Sequence, residues 1–494
     1  MILFALVFWP VLTFILSRVM PWPQAIIVSI IGGYLLLPEE GGINLPLLPA
    51  LRKDTIPCLT LLVLAFLFRP GQQPAGHRVT VSTIDVRNGW LPRSTTGVIL
   101  LALIVTGAIM TALTNGDPLR FAGGERPIQG LRLYDGFSMI VGATALIVPV
   151  LLGRKYLAHP DTHRLLLIGL VLAGLAYSLL ALIEIRLSPQ LNRWVYGFFP
   201  HNWNQHVRGG GFRPLVFLNH GLWLAIFFAM TIVAAMGLYR SEKQARFRWL
   251  LAAGWLLMTL ALSNSLGAFL IALFLTPAIL LLSMRLQLIL AACIAMSVLT
   301  YPFLRGADVV PTDTLVGWAE RISEPRSRSL NFRFEQEDQL IEKANDRPLF
   351  GWGGFGRNRV YDEFGRDQSV VDGAWVVTIG QGGWVRYIGE FGLLSLPIIL
   401  MAFRWRRYDV APVTAALCIV LVANMIDLIP NGTRTPVTWL LVGALLGRLE
   451  LGRVSEPVKE AARSAEPGGD LPMAPVPISP YTRQSVRNDR FSPS

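Results

Sequence analysis

The sequence predicts an all-α, polytopic integral membrane protein with about 12–13 transmembrane helices and a large outer-face loop. Two observations lead to this prediction. Of the 494 residues, 53% are hydrophobic and only 15% are charged, which is more apolar surface than a soluble core buries. The apolar residues also fall in separate blocks, most of them close to the roughly 17 to 25 residues that a membrane-crossing helix needs.

The predicted spans follow the apolar blocks in chain order. They cover residues 2–17, 23–37, 55–68, 96–113, 135–152, 165–183, 214–238, 247–262, 265–283, 286–304, 383–402, 411–429 and 434–449. Several of these blocks are short, so twelve helices remain an alternative to thirteen. The chain is apolar from Ile2 and has no basic leader or small-residue cleavage site, which favours a first span over a signal peptide. Residues 1–454 are therefore predicted to form one membrane domain.

Basic residues between the spans predict the orientation. Three connections contain hardly any acidic residues and carry Arg69, Arg78, Arg87 and Arg93; Arg154, Lys155 and Arg164; and Arg240, Lys243, Arg246 and Arg248. Positive charge is retained on the cytoplasmic side, so we expect these connections to be cytoplasmic and the N-terminus to face outward. The net charge of +12 then reflects topology and attraction to anionic membrane lipids, and nucleic acid is not expected as a partner.

The remaining segments are predicted to lie outside the bilayer. Two face outward, at about residues 184–213 and 305–382, and long loops of this kind are usually functional. Within the second loop, Asn331 is predicted to cap a surface helix that ends at Asp346-Arg347-Pro348, before a glycine-rich turn. Residues 455–494 are rich in Pro, Ser, Ala and Arg and are predicted to be a disordered cytoplasmic tail.

Four segments resemble motifs of the O-antigen ligase and O-antigen polymerase superfamily, which are bacterial membrane glycosyltransferases. The segments are Arg208-Gly-Gly-Gly-Phe-Arg213-Pro214, the hairpin Ser263-Asn-Ser-Leu-Gly-Ala268, the stretch from Arg333 to Pro348-Leu-Phe-Gly-Trp-Gly353, and Gly389-Glu-Phe-Gly-Leu-Leu394. The third is the most specific. The chain departs from many ligases at Gln381, where they have His, and at Leu266, where they usually have Arg.

The resemblance implies transfer or polymerisation of a glycan from an undecaprenyl diphosphate carrier, on the outer face of the bacterial inner (cytoplasmic) membrane. Arg208, Arg213 and Arg333 are the expected diphosphate ligands, because guanidinium stays charged and binds phosphate oxygens in pairs. Membrane lipid, the lipid-linked oligosaccharide and other polysaccharide assembly proteins are the implied partners.

An acceptor hydroxyl also needs a base. The candidates are Asp372 and Glu390, with His206 as a weaker one. No metal or other cofactor is expected, because the chain lacks a clear Asp-x-Asp pair of the kind that holds a divalent ion on a sugar nucleotide. His201 and His206 are five residues apart, on different faces of a helix, and are not expected to form a metal site.

Each assignment has an alternative. Arginines at helix ends often anchor a span to lipid phosphate, and Asp372 and Glu390 are equally interpretable as loop caps or ion-pair partners. Glu184, at a membrane boundary, is either a functional or an interfacial carboxylate. At the level of function, a non-enzymatic transporter or flippase of lipid-linked glycans would use the same cations, and a structural component of an export assembly would use the long loop as a docking surface. The concentration of charge outside the spans favours an enzyme over a transporter.

Overall fold

The computed structural model describes residues 1–44, 49–68, 89–123, 127–208, 211–322, 324–408 and 410–451, without the side chains of residues 208, 322, 325 and 326. Within these ranges there are sixteen α-helices and one two-stranded sheet. The protein is therefore an all-α, polytopic membrane protein, as predicted. Met1–Gly452 forms one unit, and the predicted tail at 455–494 lies outside the described residues.

Thirteen helices coincide with the thirteen predicted spans. They are α1 (Ile2–Val19), α2 (Trp22–Leu36), α3 (Ile56–Phe68), α4 (Thr95–Thr114), α5 (Leu133–Tyr156), α6 (Pro160–Leu187), α8 (Gly221–Ser241), α9 (Arg246–Leu262), α10 (Leu266–Leu281), α11 (Met284–Gly306), α14 (Ala374–Phe403), α15 (Pro412–Asp427) and α16 (Pro436–Leu451). Seven of them, α1, α4, α5, α6, α8, α11 and α14, are long and apolar enough to cross a membrane. The others are shorter and complete the bundle.

The remaining helices lie between spans. These are α7 (Leu191–Tyr196), α12 (Thr312–Ile322) and α13 (Glu324–Asn345). A short 3-10 helix at Trp203–His206 leads into the hairpin of β1 (Val207–Arg208) and β2 (Gly211–Phe212). The outer segments predicted from the sequence are therefore largely structured.

Burial distinguishes the centre of the bundle from its edge. In α8, 89% of an apolar 18-residue stretch is buried, whereas in α1 the corresponding share is 22%. Helix α8 packs against α6, α9, α10 and α15, so it forms the interior. Helix α1 exposes one apolar face, as a lipid-facing helix does.

Glycines allow α5 and α16 to pack backbone to backbone. A Cβ at Gly443 would lie 2.3 Å from the carbonyl oxygen of Val150, and one at Gly447 would lie 2.3 Å from that of Arg154. The spacing of these two glycines is the small-xxx-small pattern of close helix packing in membranes.

The basic connections after α5 and α8 lie at one end of the bundle, whereas Arg69, Arg78 and Arg87 of the third connection lie outside the described residues. Arg154 pairs with Glu450 at 3.0 Å, and Arg164 pairs with Glu242 at 2.6 Å. The connections α6–α8, α11–α14 and α15–α16 meet at the opposite end. These connections fall at the two ends of the bundle as the order of the predicted spans requires. That the second end faces outward stays a prediction.

Helix α8 begins at Gly221, and the prediction that its span starts at residue 214 is wrong. The carboxylate of Glu184 accepts hydrogen bonds from the amides of Leu191 (3.0 Å), Leu215 (2.9 Å) and Val216 (2.7 Å). Val216 has a φ of 56°, which is incompatible with a continuing right-handed helix. Glu184 therefore has a structural role, because its carboxylate fixes the apolar, non-helical segment that leads into α8.

Two further boundaries differ from the prediction. Helix α13 starts at Glu324, so Asn331 is not its cap; the Asn331 side chain donates to Glu335 within the helix (2.7 Å). Helix α13 ends at Asn345, where the prediction placed its end. Helix α14 starts at Ala374 instead of residue 383, because the segment is helical on both sides of a break at Gly383 (φ 65°, ψ −171°). The large outer connection is correspondingly shorter than predicted.

Candidate functional site

The glycine-rich turn that follows α13 packs against the break in α14. The amides of Trp352 and Gly353 donate to the carbonyls of Gly380 (2.8 Å) and Gln381 (2.9 Å). Past the break, the amide of Trp384 donates to the Pro348 carbonyl (2.8 Å). Backbone groups freed by a helix break need partners at membrane depth, and the turn supplies them. The backbone of the predicted glycine-rich turn therefore lies directly against that of α14, and the turn fixes the position of α14.

Alanine at Gly351 is expected to destabilise this junction strongly. Gly351 has a φ of +64°, and a Cβ there would lie 2.6 Å from Gln381 C and Gly382 N. Strain in this region costs about 1–3 kcal/mol before the steric overlap is added. We expect a lower unfolding temperature of detergent-purified Gly351→Ala and faster proteolysis near α14. Gly354→Ala is the control, because a Cβ at Gly354 meets no atom within 4 Å; equal effects of the two changes would contradict the assignment.

Arg347 attaches the same turn to the end of α4. Its guanidinium donates to the carbonyl of Thr114 (2.7 Å), the side chain of Asn115 (2.8 Å) and Asp117 (2.8 Å). Burial opposes the charge of Asp117, but the hydrogen bonds to this carboxylate and the charges of Arg347 and Arg357 together outweigh it, so the pKa of Asp117 is lowered. The turn is thus held from two sides, by α4 and by α14.

Glu390 lies in a buried cluster with two arginines. Its side chain is 2% exposed, and its two oxygens are bound separately by Arg386 (2.6 Å) and Arg434. Arg434 also donates to the Thr378 hydroxyl (2.6 Å). A carboxylate whose oxygens are both engaged by guanidinium groups is poorly placed to take a proton from a substrate. The geometry favours a role for Glu390 in orienting the arginines.

Arg434 connects this cluster to a large cavity at the same end of the bundle. The cavity has a volume of about 540 Å³ and is open to solvent. Its charged lining residues are Arg213, Arg333, Arg434 and Asp372, with His201 and His220 beside them. Among the described lining residues, three arginines thus face a single carboxylate, and we call this space the cationic cavity.

The cationic cavity brings together three of the predicted site residues. The Arg333 Nε lies 3.7 Å from Asp372 Oδ2, with the side chains 35% and 42% exposed. Arg333 also donates to the Pro430 carbonyl (3.3 Å). Arg213 is almost buried (4% exposed) and donates to the carbonyl of Asn264 (2.9 Å), within the short Ser-rich hairpin. Two segments that resemble family motifs therefore meet at Arg213.

An apolar groove adjoins the cationic cavity. It has a volume of about 250 Å³ and lies between the α12–α13 pair and the ends of α11 and α14. Its apolar lining includes Val310, Leu315, Leu330, Phe334, Leu340 and Val376. Phe332, Arg333, Val370 and Asp372 line both spaces. The groove also contains Glu337, whose pKa burial raises to about 7 although Arg305 acts in the opposite direction.

Two of the predicted site residues, Arg208 and His206, are not among the described lining residues of the cationic cavity. Arg208 belongs to β1, and its backbone pairs with Gly211; its side chain lies outside the described part. His206 is fully buried, with Nδ1 3.3 Å from the Arg213 carbonyl oxygen. It is absent from the described lining of the cationic cavity, which makes it less suitable than Asp372 as a base.

The structure also gathers three histidines, against the prediction. One ring nitrogen each from His201, His206 and His220 lies within 4.8 Å of the others. The prediction placed His201 and His206 on different faces of an α-helix, and this premise was wrong because only Trp203–His206 is helical, and of the 3-10 type. His220 enters the cluster from the start of α8.

Arg434 was missed for a different reason. It is the first residue of the predicted last span, where a lone arginine is usually interpreted as an interfacial anchor. Its partner Glu390 is 44 residues away in sequence. Its place at the predicted outer end of the last span is the same for a site residue as for an anchor, so the sequence carries no signal that distinguishes the two.

No family model and no curated protein sequence matches this chain.

Proposed function

We propose that the protein is a metal-independent membrane glycosyltransferase of the O-antigen ligase or polymerase type, acting on a glycan linked to undecaprenyl diphosphate. One observation carries the proposal: the cationic cavity continues into the apolar groove, with Arg333 and Asp372 at their junction. A ligand with a diphosphate at the head of a long isoprenoid chain has this division into an anionic and an apolar part. The resemblance of four segments to that superfamily supports the same reaction.

The three arginines suit the diphosphate. Arg213 and Arg434 are held in place, by the Asn264 carbonyl and by Glu390 respectively, while Arg333 is partly exposed and loosely paired. Guanidinium binds phosphate oxygens through two parallel hydrogen bonds. Cations fixed where negative charge develops stabilise a leaving group at little reorganisation cost. The apolar groove would hold the first part of the isoprenoid chain.

Asp372 is the best-placed base. It is the one carboxylate among the described lining residues of the cationic cavity. In the proposed step, the acceptor hydroxyl forms a bond to the anomeric carbon and its proton passes to Asp372. The bond from that carbon to the diphosphate oxygen breaks, and the electron pair leaves with undecaprenyl diphosphate. Arg333, 3.7 Å from Asp372, would bind the diphosphate beside this base.

The superfamily that the four segments resemble uses such a donor on the outer face of the bacterial cytoplasmic membrane, so the proposal places the protein there. This fits the expected cytoplasmic location of the basic connections. It leaves the acceptor as either a second lipid-linked glycan or a separate molecule.

Binding of the carrier tests the site before any turnover is measured. A ligand that binds only the folded protein raises its unfolding temperature. We expect undecaprenyl diphosphate to stabilise the detergent-purified protein, and Arg333→Ala and Arg213→Ala to reduce that shift. Arg328→Ala is the matched control, because Arg328 also lies on α13, is 75% exposed and pairs only with Glu324 among the described salt bridges. Equal shifts in all four proteins would contradict the proposed diphosphate site.

A further inference from the structure

Three of the six histidines of the chain meet beside the cationic cavity. His201 lies two residues before the 3-10 segment, His206 is the last residue of that segment, and His220 precedes α8. The His220 ring centroid lies 4.7 Å from that of His201 and 4.9 Å from that of His206. With one nitrogen of each ring within 4.8 Å of the others, small rotations bring them to the roughly 3.4 Å separation that tetrahedral ligands have at metal–nitrogen distances of 2.0–2.1 Å.

His206 is oriented as a ligand would be. Its Nδ1 faces the backbone carbonyl of Arg213 at 3.3 Å. A carbonyl oxygen only accepts, so this contact places the ring proton on Nδ1 and makes Nε2 the nitrogen through which His206 would coordinate a metal. A backbone carbonyl is a common partner for the non-coordinating nitrogen of a metal-bound histidine.

His220 has a different constraint. Its Nδ1 accepts a hydrogen bond from the amide of Leu222 (3.0 Å), as the cap of α8. The neutral ring therefore carries its proton on Nε2. Coordination through Nε2 moves that proton to Nδ1 and gives up the cap, so metal binding competes with this hydrogen bond.

The cluster has an open side. His201 and His220 line the cationic cavity, whereas His206 lies behind them and is fully buried. The guanidinium of Arg213 donates to the Asn264 carbonyl at 2.9 Å, on the hairpin. An ion held by the three rings would keep at least one position open to the cavity, where water or a phosphate oxygen binds.

We propose that His201, His206 and His220 bind one divalent first-row transition-metal ion. Three neutral imidazoles suit Zn²⁺, Co²⁺, Ni²⁺ or Cu²⁺, while Mg²⁺ and Ca²⁺ prefer oxygen ligands. The site goes beyond the proposed glycosyl transfer, which needs no metal. It is therefore tested by binding alone.

The test uses the full chain, purified in detergent with a tag that contains no histidine. After treatment with a chelator, the protein is titrated with Co²⁺ and then with Zn²⁺. We expect one Co²⁺ per chain with the visible absorption of a tetrahedral site, and its displacement by Zn²⁺. A wild-type protein that binds no stoichiometric ion would overturn the proposal.

Matched variants locate the ion. His220→Asn removes a ligand and keeps a residue that caps helices well, and His206→Asn keeps a side-chain donor for the Arg213 carbonyl. Each is expected to weaken Co²⁺ binding at least tenfold while the unfolding temperature without metal stays close to that of the wild type. The control is His159→Asn, at the opposite end of the bundle. Binding as tight in His206→Asn and His220→Asn as in the control would contradict the assignment.

Discussion

Replacement of Arg333 by alanine is expected to abolish glycan transfer while leaving membrane insertion intact. Arg333 lies where the cationic cavity meets the apolar groove, 3.7 Å from Asp372, and is 35% exposed. Its loss would remove one cation from the leaving diphosphate, and single groups that stabilise developing charge typically contribute about 10²–10³ in rate. Release of carrier lipid by the purified variant measures the effect.

Replacing Arg333 by lysine distinguishes paired hydrogen bonding to the diphosphate from simple charge attraction. A point charge attracts phosphate but lacks the paired hydrogen bonds of guanidinium, so we expect Arg333→Lys to recover only part of the activity. Arg328→Ala, on the same helix, should retain full activity. Near-normal transfer by Arg333→Ala would exclude this residue from the site, and full activity of the lysine variant would indicate simple charge attraction.

Loss of Glu390 is expected to give the largest effect on stability. Glu390→Leu leaves Arg386 and Arg434 without their shared anion, in surroundings where the carboxylate is 2% exposed. Removing one partner from a buried ion pair typically costs about 3–5 kcal/mol. We expect a markedly lower unfolding temperature in detergent, accompanied by loss of activity because Arg434 is no longer held at the cavity.

A double variant tests whether Glu390 acts through the arginine. Glu390→Leu with Arg434→Met removes both members of one pair, and replacing buried pairs by apolar residues often restores stability. We expect this protein to recover most of the unfolding temperature but not the activity, since Arg434 lines the cationic cavity. A Glu390→Gln protein that is as stable as the wild type but inactive would instead point to direct catalysis by Glu390.

The spans were predictable because each one depends on its own composition. A run of apolar residues must become a helix in the bilayer, whatever its neighbours are. The two misplaced span boundaries depend on residues far away in sequence. The start of α8 is set by Glu184, 32 residues before Val216, and the break at Gly383 is satisfied by the turn that begins at Pro348.

The candidate site was predictable only in part, for the same reason. Arg213, Arg333 and Asp372 meet in one cavity, and the first two lie in segments that resemble family motifs. Arg434 and the histidine cluster were missed because no local pattern marks them. Arg434 is defined by its pairing with Glu390, and His220 approaches His201 only because the chain entering α8 is not helical.

The most direct test of the proposed function is turnover by the purified protein alone. Detergent-purified protein is mixed with an undecaprenyl diphosphate-linked oligosaccharide, and both glycan length and free carrier lipid are followed. We expect carrier release without any energy source, with longer lipid-linked chains for a polymerase or transfer to a separate acceptor for a ligase. Folded protein that binds the substrate but releases no carrier with any acceptor tested would contradict the enzyme assignment and favour a transporter of lipid-linked glycans.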